Sequence, residues 1–249
     1  MHILVLVIVS FDKPVYYDML QVWRERVCSR SDVWFIQCKP ASEWIGDVIN
    51  DILDTSLKDR FELDIANKTL FIRGDECLIP GILHKTVEAL SFFLLEEGSN
   101  SRQAAPLGMS AAVPFIWRTN LSSVLDFAGL QRYLGTINSS GFYGGYIGLG
   151  SLNNGSSTFF ASGAGFLMSR DVAEYLVLNK QFLRWDLIDD VAIGALLEPK
   201  FSIVPIERCW IQSGEEVVGS DGVFHYRCES YQHLRTVEFM QYVVRGLSK

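Results

Sequence analysis

The chain has 249 residues, 49% of them hydrophobic and 20% charged, and its 22 Lys and Arg against 29 Asp and Glu leave a formal net charge of -7. Such a length and apolar content suit one large globular domain, and the acidic balance argues against a broad surface for nucleic acid or anionic lipid while allowing a local basic pocket for one diphosphate. The five cysteines, Cys28, Cys38, Cys77, Cys209 and Cys228, are odd in number and contain no C-x-x-C pair, so reduced thiols are expected rather than a zinc site or a disulfide framework.

Residues 3–9 are a continuous apolar run rich in β-branched side chains, ending at Ser10, Phe11, Asp12, Lys13 and Pro14. The run is too short for a membrane span and lacks the basic flank of a signal sequence, so it reads as a first strand covered on both faces. No later run approaches the length of a span, and neither a transmembrane segment nor a membrane anchor is expected; the cytoplasm is the expected location. Tyr16, Met19, Leu20, Trp23 and Val27 then recur at helical spacing, and residues 33–37 return to a strand pattern. Strand, helix and strand at that spacing make a βαβ unit with a parallel pair.

Residues 62–73 read as short strands around a turn at Asn67 and Lys68. Pro80 opens a helix in which Leu83, Val87, Leu90 and Leu94 form one stripe. Residues 97–112 lack periodicity and read as a surface loop. A strand at 113–117 and helical spacing around 125–134 follow. The glycine density of residues 141–158 predicts a strand running into an exposed, mobile loop that could cover a substrate, or else a surface hairpin with no such role.

Polar chemistry gathers in a few places. Arg118, Thr119, Asn120, Leu121, Ser122 and Ser123 follow the strand at 113–117, and ligands in open α/β sheets bind beyond the carboxyl ends of strands. Ser10 stands in the same position after the first strand. Ser162, Gly163, Ala164 and Gly165 read as a tight turn before a helix near Ser169, either purely structural or a place where a ligand approaches the backbone closely. Asp189 and Asp190 open another helix. One carboxylate there suits a helix cap, and its neighbour, pointing elsewhere, suits a general base. His225 lies in an alternating segment at 223–227 and is either a satisfied structural residue or a metal or phosphate contact; Arg227 shares its strand face and suits a phosphate. Lys85, on the Pro80 helix, reads from spacing as a solvated lysine.

Taken in order, residues 115–123, 160–172, 188–194 and 224–227 resemble the GT-A fold glycosyltransferases. The resemblance is to the β-1,3-galactosyltransferase and Fringe-like group, in its compact bacterial and large-DNA-virus forms, and covers about residues 70–228. It implies an α/β fold of GT-A (Rossmann-like) type, with a mixed, mostly parallel central sheet flanked by helices. It also implies a single domain over residues 1–249, with a nucleotide-binding half at 1–112 and a donor and acceptor half at 113–249. Asp190 or Asp189 becomes the catalytic base. Ser10, Lys85, Arg118, Thr119, Asn120, Ser122, Ser162, Gly163, Gly165 and Arg227 become donor-binding residues, and His225 a metal contact.

The partners implied are a nucleotide-sugar, UDP-sugar favoured, and a glycan or glycoconjugate acceptor, with the host cytoplasm as the location for a viral protein. Members of the group carry an acidic D-x-D motif for Mn2+ or Mg2+ where this chain has Asn120, Leu121 and Ser122. Neutral oxygens are poor ligands for a hard cation, which puts the metal in doubt, and preorganised positive side chains such as Arg118 offer another way to neutralise a diphosphate. The expected function is therefore an inverting glycosyltransferase, with a catalytically silent glycan- or nucleotide-sugar-binding protein as the alternative. A nucleotidyltransferase on a related fold favours a glycine-rich basic loop after the first strand, where Ser10 to Lys13 stand instead.

Overall fold

The computed structural model describes residues 3–10, 13–43, 59–96, 113–152, 155–216, 218–220, 222–229 and 235–248. The chain opens with β1 (Ile3–Ile8), α1 (Val15–Val27) and β2 (Val33–Lys39). β1 and β2 pair in parallel with Val5 opposite Val33, as the βαβ pattern requires. β3 (Phe61–Asp64) and β4 (Thr69–Arg73) form an antiparallel pair. α2 (Gly81–Ser91) continues into a π-helical segment, Phe92–Glu96.

β5 (Phe115–Asn120), β6 (Ser123–Leu125), α3 (Phe127–Leu134), β7 (Tyr143–Ser151) and β8 (Ser157–Ser169) come next. The chain then passes through α4 (Arg170–Leu178), α5 (Asp189–Leu197), β9 (Ile203–Pro205), β10 (Cys209–Ile211), β11 (His225–Cys228) and α6 (Thr236–Leu247).

Eight strands form one sheet in the order β3-β4-β2-β1-β5-β8-β7-β9, and β10, β11 and β6 form a small second sheet. The centre of the large sheet, β4-β2-β1-β5, is parallel, while β8 runs antiparallel to both β5 and β7. The sheet is thus mixed α/β, and it draws strands from both sides of the stretch at 97–112, which lies outside the described residues.

Helices cover both faces, which explains the uninterrupted apolar run of β1. Leu4, Leu6 and Ile8 pack with Leu83 and Val87 of α2, Val172 of α4 and Ile193 of α5. Ile3, Val5 and Val7 pack with Trp23 of α1, Leu130 of α3 and Phe239 of α6. All six β1 residues are buried, and at about 1.5–3 kcal/mol for each large aliphatic side chain this strand anchors the core. No described helix is long and apolar enough to cross a membrane. The five cysteines are free.

Residues 141–158 are for the most part the β7–β8 hairpin, the second of the two readings of that stretch: a Cβ at Gly148 would come within 2.4 Å of the Phe160 ring, so the missing side chain makes room for a cross-strand aromatic. One expectation needs correction. Ser162 to Gly165 are not a turn before a helix. They lie inside the thirteen-residue strand β8, and the helix begins only at Arg170.

The site is positioned by the register of the two central strands. Ile8 of β1 lies opposite Asn120 of β5 in a parallel pair, so the polar residues that follow both strands emerge at one edge of the sheet.

Candidate functional site

A cavity of about 540 Å³ opens at that edge, within the usual size of small-molecule sites. Ser10, Arg118, Asn120, Ser122, Ser162, Gly163, Asp189, Asp190 and Arg227 all line it. They come from β1, β5, β8, α5 and β11 and the turns beside them, which the chain brings together only on folding. Lys85, Thr119, Gly165 and His225 do not line the cavity.

The acidic pair sits in the first turn of α5, with Ile188 at the cap position, so neither aspartate is the cap residue proper. Arg118 is 2% exposed and ion-pairs with Asp189 through Nη2; its Nη1 donates to the Gly163 carbonyl. Asp190 turns the other way. Its Oδ2 accepts from the Gly163 N–H at 2.8 Å and its Oδ1 from the Val191 N–H at 2.9 Å. Burial, with the charge of Asp189 adding to it, raises the Asp190 carboxyl above its usual range against the opposing pull of those bonds and of Arg118. Asp189 is thus locked to a guanidinium, whereas Asp190 is a half-buried carboxylate whose affinity for a proton is raised.

Across the cavity, Arg227 Nη1 donates to Asn120 Oδ1 at 2.7 Å and to Ser122 Oγ, and its Nη2 pairs with Glu229 at 3.0 Å. A guanidinium therefore already rests on the two oxygens that stand where the D-x-D carboxylates are implied. Two neutral oxygens held by a cation are not a donor set for Mn2+ or Mg2+. Among the described residues no group of three or more His, Cys, Asp or Glu side chains is placed to hold a metal ion.

No family model and no curated protein matches this chain. Among solved structures it is similar to the inositol-1-phosphate CTP transferase from T. maritima, at 13% identity over 99% of this chain and 97% of that chain, with a TM-score of 0.45. A likeness of that degree carries no argument about activity.

The four residues that miss the cavity support its walls. Lys85 is not a solvated lysine: it is fully buried, and its Nζ donates to the Val9 carbonyl at 2.5 Å and to Glu76 at 2.6 Å, fixing Glu76 at the rim. Thr119 Oγ1 donates to the Ala164 carbonyl at 2.7 Å and ties β5 to β8. His225 is 1% exposed, with Nε2 at 3.2 Å from Ser123 Oγ and its ring edge-on to Trp117. Burial, with Arg208 and Arg227 repelling, pushes it down to about 3. The expected metal contact at His225 is thus a neutral imidazole walled off from the cavity.

Gly165 explains why β8 carries small residues. A Cβ there would lie 2.7 Å from both Trp117 Cζ2 and His225 Cε1, two buried rings with no room to retreat. Gly165→Ala is expected to cost about 1–3 kcal/mol, read as a lowered urea midpoint with an unchanged slope; a midpoint within error of the unsubstituted protein would show that this wall yields.

Sequence reasoning missed Arg208 and Trp210, which also line the cavity. Arg208 Nη1 donates to Ser162 Oγ at 3.0 Å, and its guanidinium lies over the rings of Tyr146 at 4.0 Å and Trp210 at 4.3 Å. Burial and the charge of Arg227 push it down to about 10. The only available signal was the Arg-x-Trp alternation of a short strand, which marks a shared face and nothing more.

Proposed function

We propose that the protein is an inverting glycosyltransferase of GT-A type. It moves a sugar from a nucleotide-sugar, with a UDP-sugar as first choice, to a glycan hydroxyl without a divalent cation. The observation that carries this reading is one cavity, at the carboxyl ends of β1 and β5, that faces a proton-avid Asp190 with Arg227 seated on Asn120 and Ser122. In this reading the acceptor oxygen attacks the anomeric carbon while Asp190 takes its proton. The bond from that carbon to the phosphate oxygen breaks, its electron pair leaves on the diphosphate, and Arg227 stabilises the charge that develops. Asp189 acts through Arg118 as a positioning residue. Residues 1–112 would supply the nucleotide half and 113–249 the sugar half of a single domain.

A second reading, a silent nucleotide-sugar- or glycan-binding protein, is favoured by the fact that both Asp190 oxygens already accept backbone N–H bonds. Turnover separates the two. A panel of UDP-, GDP- and dTDP-sugars with an acceptor-glycan library and excess chelator is expected to give chelator-resistant consumption of one donor. Asp190→Asn is expected to lower that turnover about 100-fold with donor affinity retained. Saturable binding without turnover would favour the silent protein. Pyrophosphate release from CTP or UTP would replace sugar transfer with nucleotidyl transfer.

A further inference from the structure

Three guanidiniums line the cavity, and they are not equivalent. Arg118 is paired with Asp189 and Arg227 with Glu229, whereas Arg208 makes no ion pair among the described residues. Its Nη1 is committed to Ser162 Oγ. Its Nε is buried without any hydrogen-bond partner among the described residues, a costly state for a charged donor. Closed off from solvent, Nε offers no surface to a ligand, so an oxygen of a carboxylate or phosphate meets this guanidinium through Nη2, which makes no hydrogen bond among the described residues. Tyr146 and Trp210, 44% and 38% exposed, hold the guanidinium plane from their ring faces and offer apolar surface on which a sugar ring can rest.

The place of this group relative to the chemistry is fixed through β8. Ser162, which accepts from Arg208, adjoins Gly163, whose N–H is held by Asp190. Arg227 sits on Asn120 and Ser122 of the other wall. Trp210, two residues after Arg208, lies opposite Arg227 in the β10–β11 pairing, so the unpaired guanidinium stands between the two walls, within reach of the charges of both Arg227 and Asp190.

We propose that Arg208, framed by Tyr146 and Trp210, is a subsite for an anionic group, a carboxylate or phosphate ester, carried by the acceptor sugar. Its assignment to the acceptor rests on the transferase reading; the anion site itself does not. The second substrate would then be an acidic sugar, held by a charge-assisted contact that leaves its hydroxyl near Asp190.

The probes are glucuronate, glucose 6-phosphate and glucose, titrated into the protein and into Arg208→Met and Arg208→Lys by ligand-observed NMR, with UDP titrated in parallel. At least one acidic sugar is expected to bind tenfold or more tightly than glucose. Arg208→Met is expected to lose that preference while keeping its affinity for UDP, and Arg208→Lys, which keeps the charge and the stem but not the planar group held over Tyr146 and Trp210, to keep only part of it. The tighter of the two acidic probes names the group.

Equal affinity for glucose and both acidic sugars would overturn the proposal. So would a parallel loss of UDP binding in Arg208→Met, since Arg208 would then serve the donor diphosphate. Failure of UDP to bind at all, with the acidic preference intact and lost in Arg208→Met, would remove the transferase reading and leave the anion subsite standing.

Discussion

Arg118→Met is expected to lower the stability of the folded protein by about 3–5 kcal/mol, the usual cost of removing one partner from a buried ion pair. The arginine is 2% exposed and its partner Asp189 is 9% exposed, so water reaches the contact only from the cavity side and replaces little of it. Three bonds disappear together: those to Asp189, to the Gly163 carbonyl and, at 3.4 Å, to Thr86 Oγ1. Two adjacent aspartates then share one pocket with no cation between them, and a carboxyl whose folded pKa is raised contributes less stability as pH rises through that pKa. The deficit should accordingly be larger at pH 8 than at pH 5 in urea unfolding. Arg118→Met combined with Asp189→Leu should recover part of it, because an apolar pair often replaces a buried ion pair at little cost. A deficit under about 1 kcal/mol that is the same at both pH values would show that the aspartates are neutralised by something other than Arg118.

What the sequence discloses about this site follows from how local its causes are. The run of β1 is legible because both of its faces are buried and no residue has to choose between water and core. Asn120 and Ser122 are legible because polar residues after a buried strand fall at the ligand-binding edge whatever the details of the fold. The glycines of β8 mislead for the opposite reason. A glycine-rich stretch reads as a turn, but Gly165 is small because Trp117 and His225, both distant in sequence, crowd its strand face.

Lys85 misleads in the same way. Nothing near it in sequence tells that its ammonium is fully buried against the end of β1. Arg208 is silent for a third reason: its meaning lies in what it lacks among the described residues, an ion-pair partner, and that is a property of three-dimensional neighbours. Equally hidden is the guanidinium that rests on the implied metal position, because Arg227 and Asn120 stand more than a hundred positions apart.

Acid should expose the role of His225. Ser123 Oγ donates to the Ala164 carbonyl at 2.8 Å, so its lone pair is left to accept from His225 Nε2–H, and the neutral imidazole is satisfied where it stands. Protonation would place a charge in a site that is 1% exposed, against Trp117 and facing Arg208 and Arg227. The folded pKa of about 3 lies below the ordinary value of 6.5, so the unfolded chain binds the extra proton first. The stability from this group is complete above about pH 6.5 and is lost as pH falls towards 3.

At about 1.4 kcal/mol per pH unit over that window, the unsubstituted protein should lose about 3 kcal/mol more between pH 7 and pH 4 than His225→Gln, which has no proton to gain. Guanidinium unfolding at pH 7, 5.5 and 4 measures the difference directly, and the two curves should converge as the pH falls. Parallel curves would mean that the imidazole takes its proton at an ordinary pH inside the folded protein. That outcome would reopen His225 as an acid, a base or a cation in the site, whereas convergence confines it to the wall and leaves Asp190 as the candidate base of the proposed transfer.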